Sequence, residues 1–146
     1  MNHAPVTGPL ILLVENDDDI ADATGQLLQS EGYRVHRVPG SVEAGLYFAE
    51  LERAGEKPPD LVLLDDLMHE ARVLDLLNTL DAQGYTNQSI VLFSAWPASR
   101  LERLARRIRA VGVVVKPFDV ARLLMVVKTA VGLGSDRDSR DTDTLF

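Results

Sequence analysis

Short apolar segments alternate with longer amphipathic segments along this chain. The apolar segments are LILLV, YRVHRV, LVLLD, SIVLFS and VGVVV, at residues 10–14, 33–38, 61–65, 89–94 and 111–115. Three of them are nearly continuous in Val, Leu and Ile, which is typical of strands that are covered on both faces of a sheet. The pattern therefore predicts five buried β-strands.

The stretches between and after these strands carry apolar residues at helical spacing. Gly32 is expected to end the first helix and Pro97 to open the fourth, while Ser41 and Asp119 are predicted N-caps of the second and fifth. The predicted helices cover residues 19–32, 41–55, 69–84, 97–110 and 119–131. The stripes expected to face the core are Ile20, Ala23, Leu27 and Leu28, then Val42, Leu46, Phe48 and Leu51, then Val73, Leu74, Leu77 and Leu80.

Strand and helix alternate five times, which predicts parallel strands joined by crossover helices and hence a doubly wound α/β fold. Residues 10–131 are expected to form this single domain, after a flexible N-terminus at 1–9. Residues 132–146 mix Asp and Arg with Gly, Ser and Thr, and such a segment cannot bury enough apolar surface to offset its ordering entropy. We predict a disordered acidic tail there, with a docking peptide ending in Leu145 and Phe146 as the alternative.

The bulk composition excludes several classes of protein. A net charge of −7 argues against a nucleic-acid-binding surface, because phosphate contacts need clustered Lys and Arg. The absence of cysteine excludes disulfides and thiolate metal sites. No apolar run is long enough to cross a bilayer, and the first residues lack a signal-peptide pattern. We therefore expect a soluble cytoplasmic protein that binds neither nucleic acid nor membrane.

Polar residues follow the predicted strands where a parallel sheet binds its ligands, at the carboxyl ends. They are Glu15 and Asn16 after the first strand, Asp65 at the third, Ser94 at the fourth and Lys116 at the fifth. Oxygen donors of this kind suit a hard cation such as Mg²⁺. A lysine and a hydroxyl beside that cation suit a phosphoryl group. Since neither GxGxxG nor GxxxxGK[ST] occurs, the sequence does not indicate a bound nucleotide.

Four motifs at these strand ends carry a family resemblance. ILLVENDDDI, PDLVLLD, SIVLFSA and VVVKPFD resemble, in register, the motifs of the response-regulator receiver domain of two-component signalling. The resemblance covers residues 10 to 131. It implies a (βα)5 flavodoxin-like fold, similar to chemotaxis regulators, with the parallel strand order 2-1-3-4-5.

The resemblance also implies a function for these residues. A sensor histidine kinase or phosphotransfer protein would donate a phosphoryl group to Asp65, Lys116 would pair with one phosphoryl oxygen, and Ser94 would hydrogen-bond another. The chain would then act as a stand-alone receiver that signals through altered protein contacts and turns over no substrate. The implied Mg²⁺ ligands are Glu15, Asn16, Asp65 and the backbone carbonyl of Leu67.

The chain departs from the family pattern at several positions. Asn16 stands where most receivers have a metal-binding aspartate, so weaker Mg²⁺ binding is expected. The stretch LMHEARV lacks the usual Pro and Gly, and its His69 is expected to be a surface residue. Val113 replaces the aromatic residue that commonly accompanies the switch. Trp96 lies at a position that tunes phosphoryl lifetime in the family, and slow dephosphorylation and simple packing are both compatible with it.

Two hypotheses for the function follow from these observations. In the first, phosphorylation changes the affinity for a downstream partner, or for a second copy of the chain, through the face of the fourth helix, fifth strand and fifth helix. In the second, the chain is a pseudo-receiver, a protein-interaction module that is never phosphorylated. The arginines of the fourth helix form either a solvated basic face or a surface for an acidic partner.

Overall fold

The computed structural model describes residues 7–65, 70–85, 89–115 and 119–135, and it confirms the predicted alternation of strands and helices. Its strands are β1 (Leu10–Val14), β2 (Arg34–Val38), β3 (Leu61–Asp65), β4 (Ile90–Ser94) and β5 (Gly112–Val115). Its helices are α1 (Asp18–Ser30), α2 (Ser41–Ala54), α3 (Glu70–Ala82), α4 (Ala98–Ile108) and α5 (Val120–Ser135). The prediction for the N-terminus at 1–9 lies largely outside the described residues. Helix α5 continues to Ser135, beyond its predicted end at residue 131, so the first four residues of the predicted tail at 132–146 are helical, and residues 136–146 lie outside the described part.

The five strands form one parallel sheet in the order β2-β1-β3-β4-β5. Leu12 of β1 pairs with His36 on one side and with Val62 on the other, so β1 is an interior strand, and β3 is the central strand of the sheet. Alternate residues of these two strands point to opposite faces, and both faces are buried. The doubly wound fold predicted from the sequence is therefore confirmed.

Each face of the sheet is covered by its own layer of helices. Leu12 and Leu64 belong to a core cluster with buried residues of α2, α3 and α4, while Leu13 and Leu63 belong to a second cluster with residues of α1 and α5. Within the part of the chain that the structure describes, no helix is both long and apolar enough to cross a membrane. The two layers leave the carboxyl edge of the sheet as the place where polar side chains gather.

The stripe predicted for α2 is wrong in two of its positions. Val42 and Leu46 are 65% and 62% exposed, whereas Ala44, Phe48 and Leu51 are buried. Val42 and Leu46 form one apolar row at i, i+4 spacing, and Ala44, Phe48 and Leu51 form another at i, i+4, i+7 spacing. Periodicity alone therefore did not decide between them. The structure buries the row that carries Phe48, because the small Ala44 beside it lets the helix approach the sheet. In α1, likewise, the predicted Ala23 is exposed, whereas Ala21 and Thr24 are buried.

The helix ends follow the predicted capping chemistry only in part. Pro97, predicted to open the fourth helix, is the N-cap before Ala98 and makes no side-chain hydrogen bond there. Asp119 accepts the Ala121 N–H at 2.8 Å, so its predicted capping role is confirmed. Ser41 is wrong as an N-cap, since Gly40 occupies that position without a side-chain hydrogen bond and Ser41 is the first helical residue. Gly32 follows the end of α1 with φ = 94°, the left-handed conformation that favours glycine.

The edge strand β2 is shielded by an aromatic stack. His36 lies parallel to Tyr47 of α2, with 4.1 Å between the ring centroids and 11° between the planes. Burial lowers the pKa of His36, although the nearby Glu50 carboxylate opposes the shift. The lowered pKa favours the neutral imidazole, which stacks on the ring of Tyr47.

Candidate functional site

Three polar residues meet at the carboxyl edge of the sheet. Asp65 is the last residue of β3, Ser94 is the last residue of β4, and Glu15 directly follows β1. Strand pairing aligns these ends, because Val14 pairs with Leu64 and Asp65 pairs with Phe93. Glu15, Asp65 and Ser94 are only 0%, 3% and 1% exposed, unlike typical surface polar groups. The strand register therefore places the three residues at the same edge of the sheet.

Of the other predicted site residues, one is exposed and the rest lie outside the described part of the chain. Asn16 is described and is exposed, one residue beyond the buried Glu15. Val115, which pairs with Ser94, is the last described residue before Lys116. Lys116, Leu67 and His69, together with the peptide bond before Pro117, lie outside the described residues, and their roles stay predictions.

The carboxylates of the acidic loop after β1 have different roles. Asp17 caps α1, because its Oδ1 accepts the Ile20 N–H at 3.0 Å. Asp18 pairs with Arg37 at 2.8 Å, and Asp19 lies in the first helical turn, where the helix dipole favours negative charge. The loop thus contributes one buried carboxylate, Glu15, to the strand-end site.

Arg37 of β2 holds this loop from the neighbouring strand, and the sequence analysis missed it. Its Nε donates to the Glu15 carbonyl at 2.8 Å, and its Nη1 donates to Asp18 at 2.8 Å. The Glu15 N–H donates to the Val38 carbonyl at 3.0 Å. Both backbone groups of Glu15 are therefore fixed, and the guanidinium offsets part of the loop's negative charge.

We expect Arg37→Ala to lower the free energy of unfolding by about 1 kcal/mol, since it removes two charge-assisted hydrogen bonds of which one lies at an exposed carboxylate. The matched control is Arg53→Ala, because Arg53 makes an exposed pair with Glu50 at 3.8 Å on α2. Loss of this exposed pair should lower the free energy of unfolding by less than about 0.5 kcal/mol. Urea denaturation followed by circular dichroism measures both, and equal losses would contradict the role of Arg37.

Ser94 connects the site to the segment that leads into α4. Its Oγ accepts the Trp96 backbone N–H at 2.9 Å. A cavity of about 10 Å³, which is room for about one water molecule, lies beside Ser94 and Asp65. Its remaining lining is apolar and consists of Leu64, Val73, Leu92, Trp96, Leu101 and Leu104. The hydroxyl therefore lies between a carboxylate and an apolar wall.

Glu15 and Asp65 are the carboxylates at the described strand ends that could hold a magnesium ion. Glu15 and Asp65 come directly after the paired residues Val14 and Leu64 of adjacent strands, and both are buried. Buried like charges repel each other unless positive charge lies near them. No group of three or more His, Cys, Asp or Glu side chains in the described ranges is arranged to hold a metal ion. Two carboxylates with neutral oxygens and water match Mg²⁺, which commonly keeps several waters in proteins.

Comparison with known proteins agrees with the observed fold. The family model of the response regulator receiver domain matches residues 11–128, which is most of the described structure. A solved receiver domain of an HD domain-containing protein from Pseudomonas fluorescens is 24% identical, with a TM-score of 0.72. The match covers 97% of this chain and all of that structure, and at this identity it shows the fold alone.

Curated relatives have a similar sequence identity to this chain. The sensory transduction protein RegX3 of Mycobacterium tuberculosis is 26% identical over 133 residues, which is 91% of this chain and 55% of that protein. The transcriptional regulatory protein PdtaR of the same species is 26% identical over 121 residues, covering 83% of this chain and 56% of that protein. The chain thus spans about half the length of these relatives.

Proposed function

The chain belongs to the response regulator receiver family, and we propose that it accepts a phosphoryl group on Asp65 and signals by changing its protein contacts. The observation that carries this proposal is the burial of Asp65 at the end of β3, between the ends of β1 and β4. A buried carboxylate beside a second carboxylate and a hydroxyl is unusual as a structural feature, and it is suited to a charged, transient adduct.

The proposed transfer uses Asp65 as the nucleophile. A carboxylate oxygen of Asp65 forms an O–P bond while the P–N bond of a phosphohistidine donor breaks, and the electron pair stays on the imidazole nitrogen, which then takes up a proton. The product is an acyl phosphate. Catalysis of such transfers rests on positioning and on charge stabilisation, which we assign to Lys116 and to the Ser94 hydroxyl.

We assign the Mg²⁺ to Glu15, Asn16, Asp65 and the Leu67 carbonyl. When bound there, the ion would supply positive charge that offsets the charge of the phosphoryl oxygens. Asn16 provides a neutral amide oxygen where a carboxylate would bind the cation more strongly, so we expect weak Mg²⁺ affinity.

Asn16→Asp should tighten Mg²⁺ binding about tenfold, because it adds a unit charge at the cation without changing side-chain size. The matched control is Gln26→Glu, which adds the same charge at an exposed position of α1, beyond its first turn. Isothermal titration calorimetry measures both variants against the wild type. An equal gain in the two variants would mean that net charge, rather than ligation by residue 16, sets the affinity.

The proposed donor is a sensor histidine kinase or a phosphotransfer protein. We place the output on the face of α4, β5 and α5, where it meets a downstream protein or a second copy of this chain. The exposed arginines of α4 support an acidic partner surface, since the chain as a whole carries a net charge of −7. They are Arg100, Arg103, Arg106 and Arg107.

Intact mass spectrometry tests the proposed function. The chain is incubated with phosphoramidate and Mg²⁺, and a parallel sample contains EDTA in excess over the metal. We expect the mass of one added phosphoryl group with Mg²⁺ and little or none with EDTA. No adduct in either sample would favour the pseudo-receiver, the second candidate, which the exposed and uncharged Asn16 supports.

A further inference from the structure

Arg37 holds the backbone of a residue that we assign to the metal site. Its Nε donates to the Glu15 carbonyl at 2.8 Å, and the Glu15 N–H donates to the Val38 carbonyl at 3.0 Å. A residue has only two soft backbone dihedral angles, so the backbone of Glu15 does not turn unless one of these hydrogen bonds breaks. Strand β2 therefore fixes the backbone from which the Glu15 carboxylate projects.

The same guanidinium also holds the other end of the acidic loop. Its Nη1 donates to Asp18 Oδ1 at 2.8 Å, and Asp18 is the first residue of α1. Asp17, just before it, accepts the Ile20 N–H and so fixes the start of the helix. Asn16 is exposed and lies between these fixed positions. One arginine thus spans the segment that carries two of the proposed Mg²⁺ ligands.

The sheet register brings Arg37 to this loop. Arg37 pairs with Leu13 of β1, and Leu13 packs in the core cluster that contains residues of α1 and α5. Paired residues of neighbouring strands project to the same face, so Arg37 lies on the face of the sheet that α1 covers. The loop from β1 to α1 spans only residues 15–17, and Arg37 therefore reaches both of its ends.

The charge of Arg37 distinguishes two roles that it could have. A guanidinium repels Mg²⁺, so an arginine that acted through charge alone would weaken the binding of the ion. The ion pair with Asp18 lies in solvent, with the two side chains 31% and 84% exposed, and such pairs are weak. The hydrogen bond to the Glu15 carbonyl is partly buried, and it acts on the geometry of the loop.

We propose that Arg37 is a positioning residue for the metal site, an inference that rests on the proposed function. Its two hydrogen bonds preorganise the segment from Glu15 to Asp18, so that Mg²⁺ binding does not have to order the loop. This preorganisation offsets the missing charge of Asn16. Arg37 has no lone pair to offer a cation, and it acts through the backbone of Glu15.

Isothermal titration calorimetry with Mg²⁺ on the folded full chain tests this role. Loss of a group that orients a metal ligand typically weakens binding about 10–100-fold, and removal of a positive charge returns part of that loss. We therefore expect Arg37→Ala to bind Mg²⁺ about five- to tenfold more weakly than the wild type. A role through charge alone predicts the opposite, tighter binding, because the variant leaves the Asp18 carboxylate without its cation.

Arg37→Lys separates the geometry of the guanidinium from its charge. Lysine keeps the positive charge, but its ammonium does not reproduce the planar fork that reaches both Glu15 and Asp18. Its Mg²⁺ affinity should therefore lie between those of the wild type and Arg37→Ala. Circular dichroism verifies that both variants are folded. A merely stabilising role of Arg37 would lower the free energy of unfolding and leave the Mg²⁺ affinity of the folded chain unchanged.

Arg34→Ala is the matched control on the same strand. The Arg34 Nε donates to the Gly8 carbonyl at 2.9 Å, at the opposite end of β2. The substitution removes the same charge and the same type of hydrogen bond, three residues or about 10 Å from Arg37 along the strand. That distance is about one Debye length, so the Mg²⁺ affinity should stay within about twofold of the wild type.

The outcomes separate this inference from the proposed function. Wild-type or tighter Mg²⁺ binding in Arg37→Ala overturns the positioning role, and so does an equal loss of affinity in Arg34→Ala. Both results leave the proposed function standing, provided that the wild type binds Mg²⁺ and takes up a phosphoryl group. A wild-type chain that binds no Mg²⁺ overturns the proposed metal site and the role of Arg37 with it.

Discussion

Asp65→Asn should abolish phosphoryl uptake. The amide oxygen is a poor nucleophile, so the O–P bond does not form even when donor and metal are present. The substitution keeps the size of a side chain that is 3% exposed, and it removes one of two neighbouring buried carboxylates. Asn at this position should therefore fold at least as stably as the wild type, and loss of uptake would report on chemistry rather than on unfolding.

The matched control is Asp66→Asn, which removes the adjacent carboxylate in the chain. Intact mass after incubation with phosphoramidate and Mg²⁺ should show the adduct for this variant and for the wild type. Thermal unfolding of all three proteins verifies that they are folded. An adduct that persists in Asp65→Asn, or one that disappears in Asp66→Asn, would be incompatible with Asp65 as the acceptor.

Phe48→Ala should lower the free energy of unfolding by about 3–5 kcal/mol, the usual cost of removing a buried phenyl ring. Phe48 of α2 is fully buried, and its ring lies 5.1 Å from that of Tyr85 and 6.3 Å from that of Tyr47. Little can move into the vacated space, because the ring packs between the helix layer and β1. Urea denaturation followed by circular dichroism measures this change.

Leu46→Ala on the same helix is the control for the effect of an alanine substitution on helix propensity. Leu46 is 62% exposed, so its truncation should change the free energy of unfolding by no more than about 0.5 kcal/mol. If the two variants lost similar stability, the burial of Phe48 and the exposure of Leu46 would be contradicted, and the prediction that both residues face the core would regain support.

The strands were predictable because short, continuous apolar runs are compatible with few structures. A run such as LVLLD is apolar on both faces, and a strand with two apolar faces is stable only where helices cover both. The helix faces were less predictable, since α2 offers two apolar rows and the choice depends on how Ala44 and Phe48 meet the sheet. That choice is a property of tertiary packing rather than of periodicity.

The candidate site was likewise predictable only in part. Glu15, Asp65 and Ser94 were predictable from sequence position, because parallel strands place their carboxyl ends at one edge. Arg37 was not, since its contacts with the acidic loop depend on the register between β1 and β2. The signal in the sequence is an arginine near the end of the first strand after the acidic loop. An explicit register between β1 and β2 would have placed this arginine beside the loop.

The most direct test of the central claim is to locate the phosphoryl group. The wild-type chain is phosphorylated with phosphoramidate and Mg²⁺, treated with borohydride to reduce the acyl phosphate to an alcohol, digested and sequenced by tandem mass spectrometry. Asp65 as the acceptor predicts homoserine at position 65 and unmodified Asp66, Glu15 and Asp17. Homoserine at another position, or none in a sample that carries the added mass, would contradict the proposed role of Asp65.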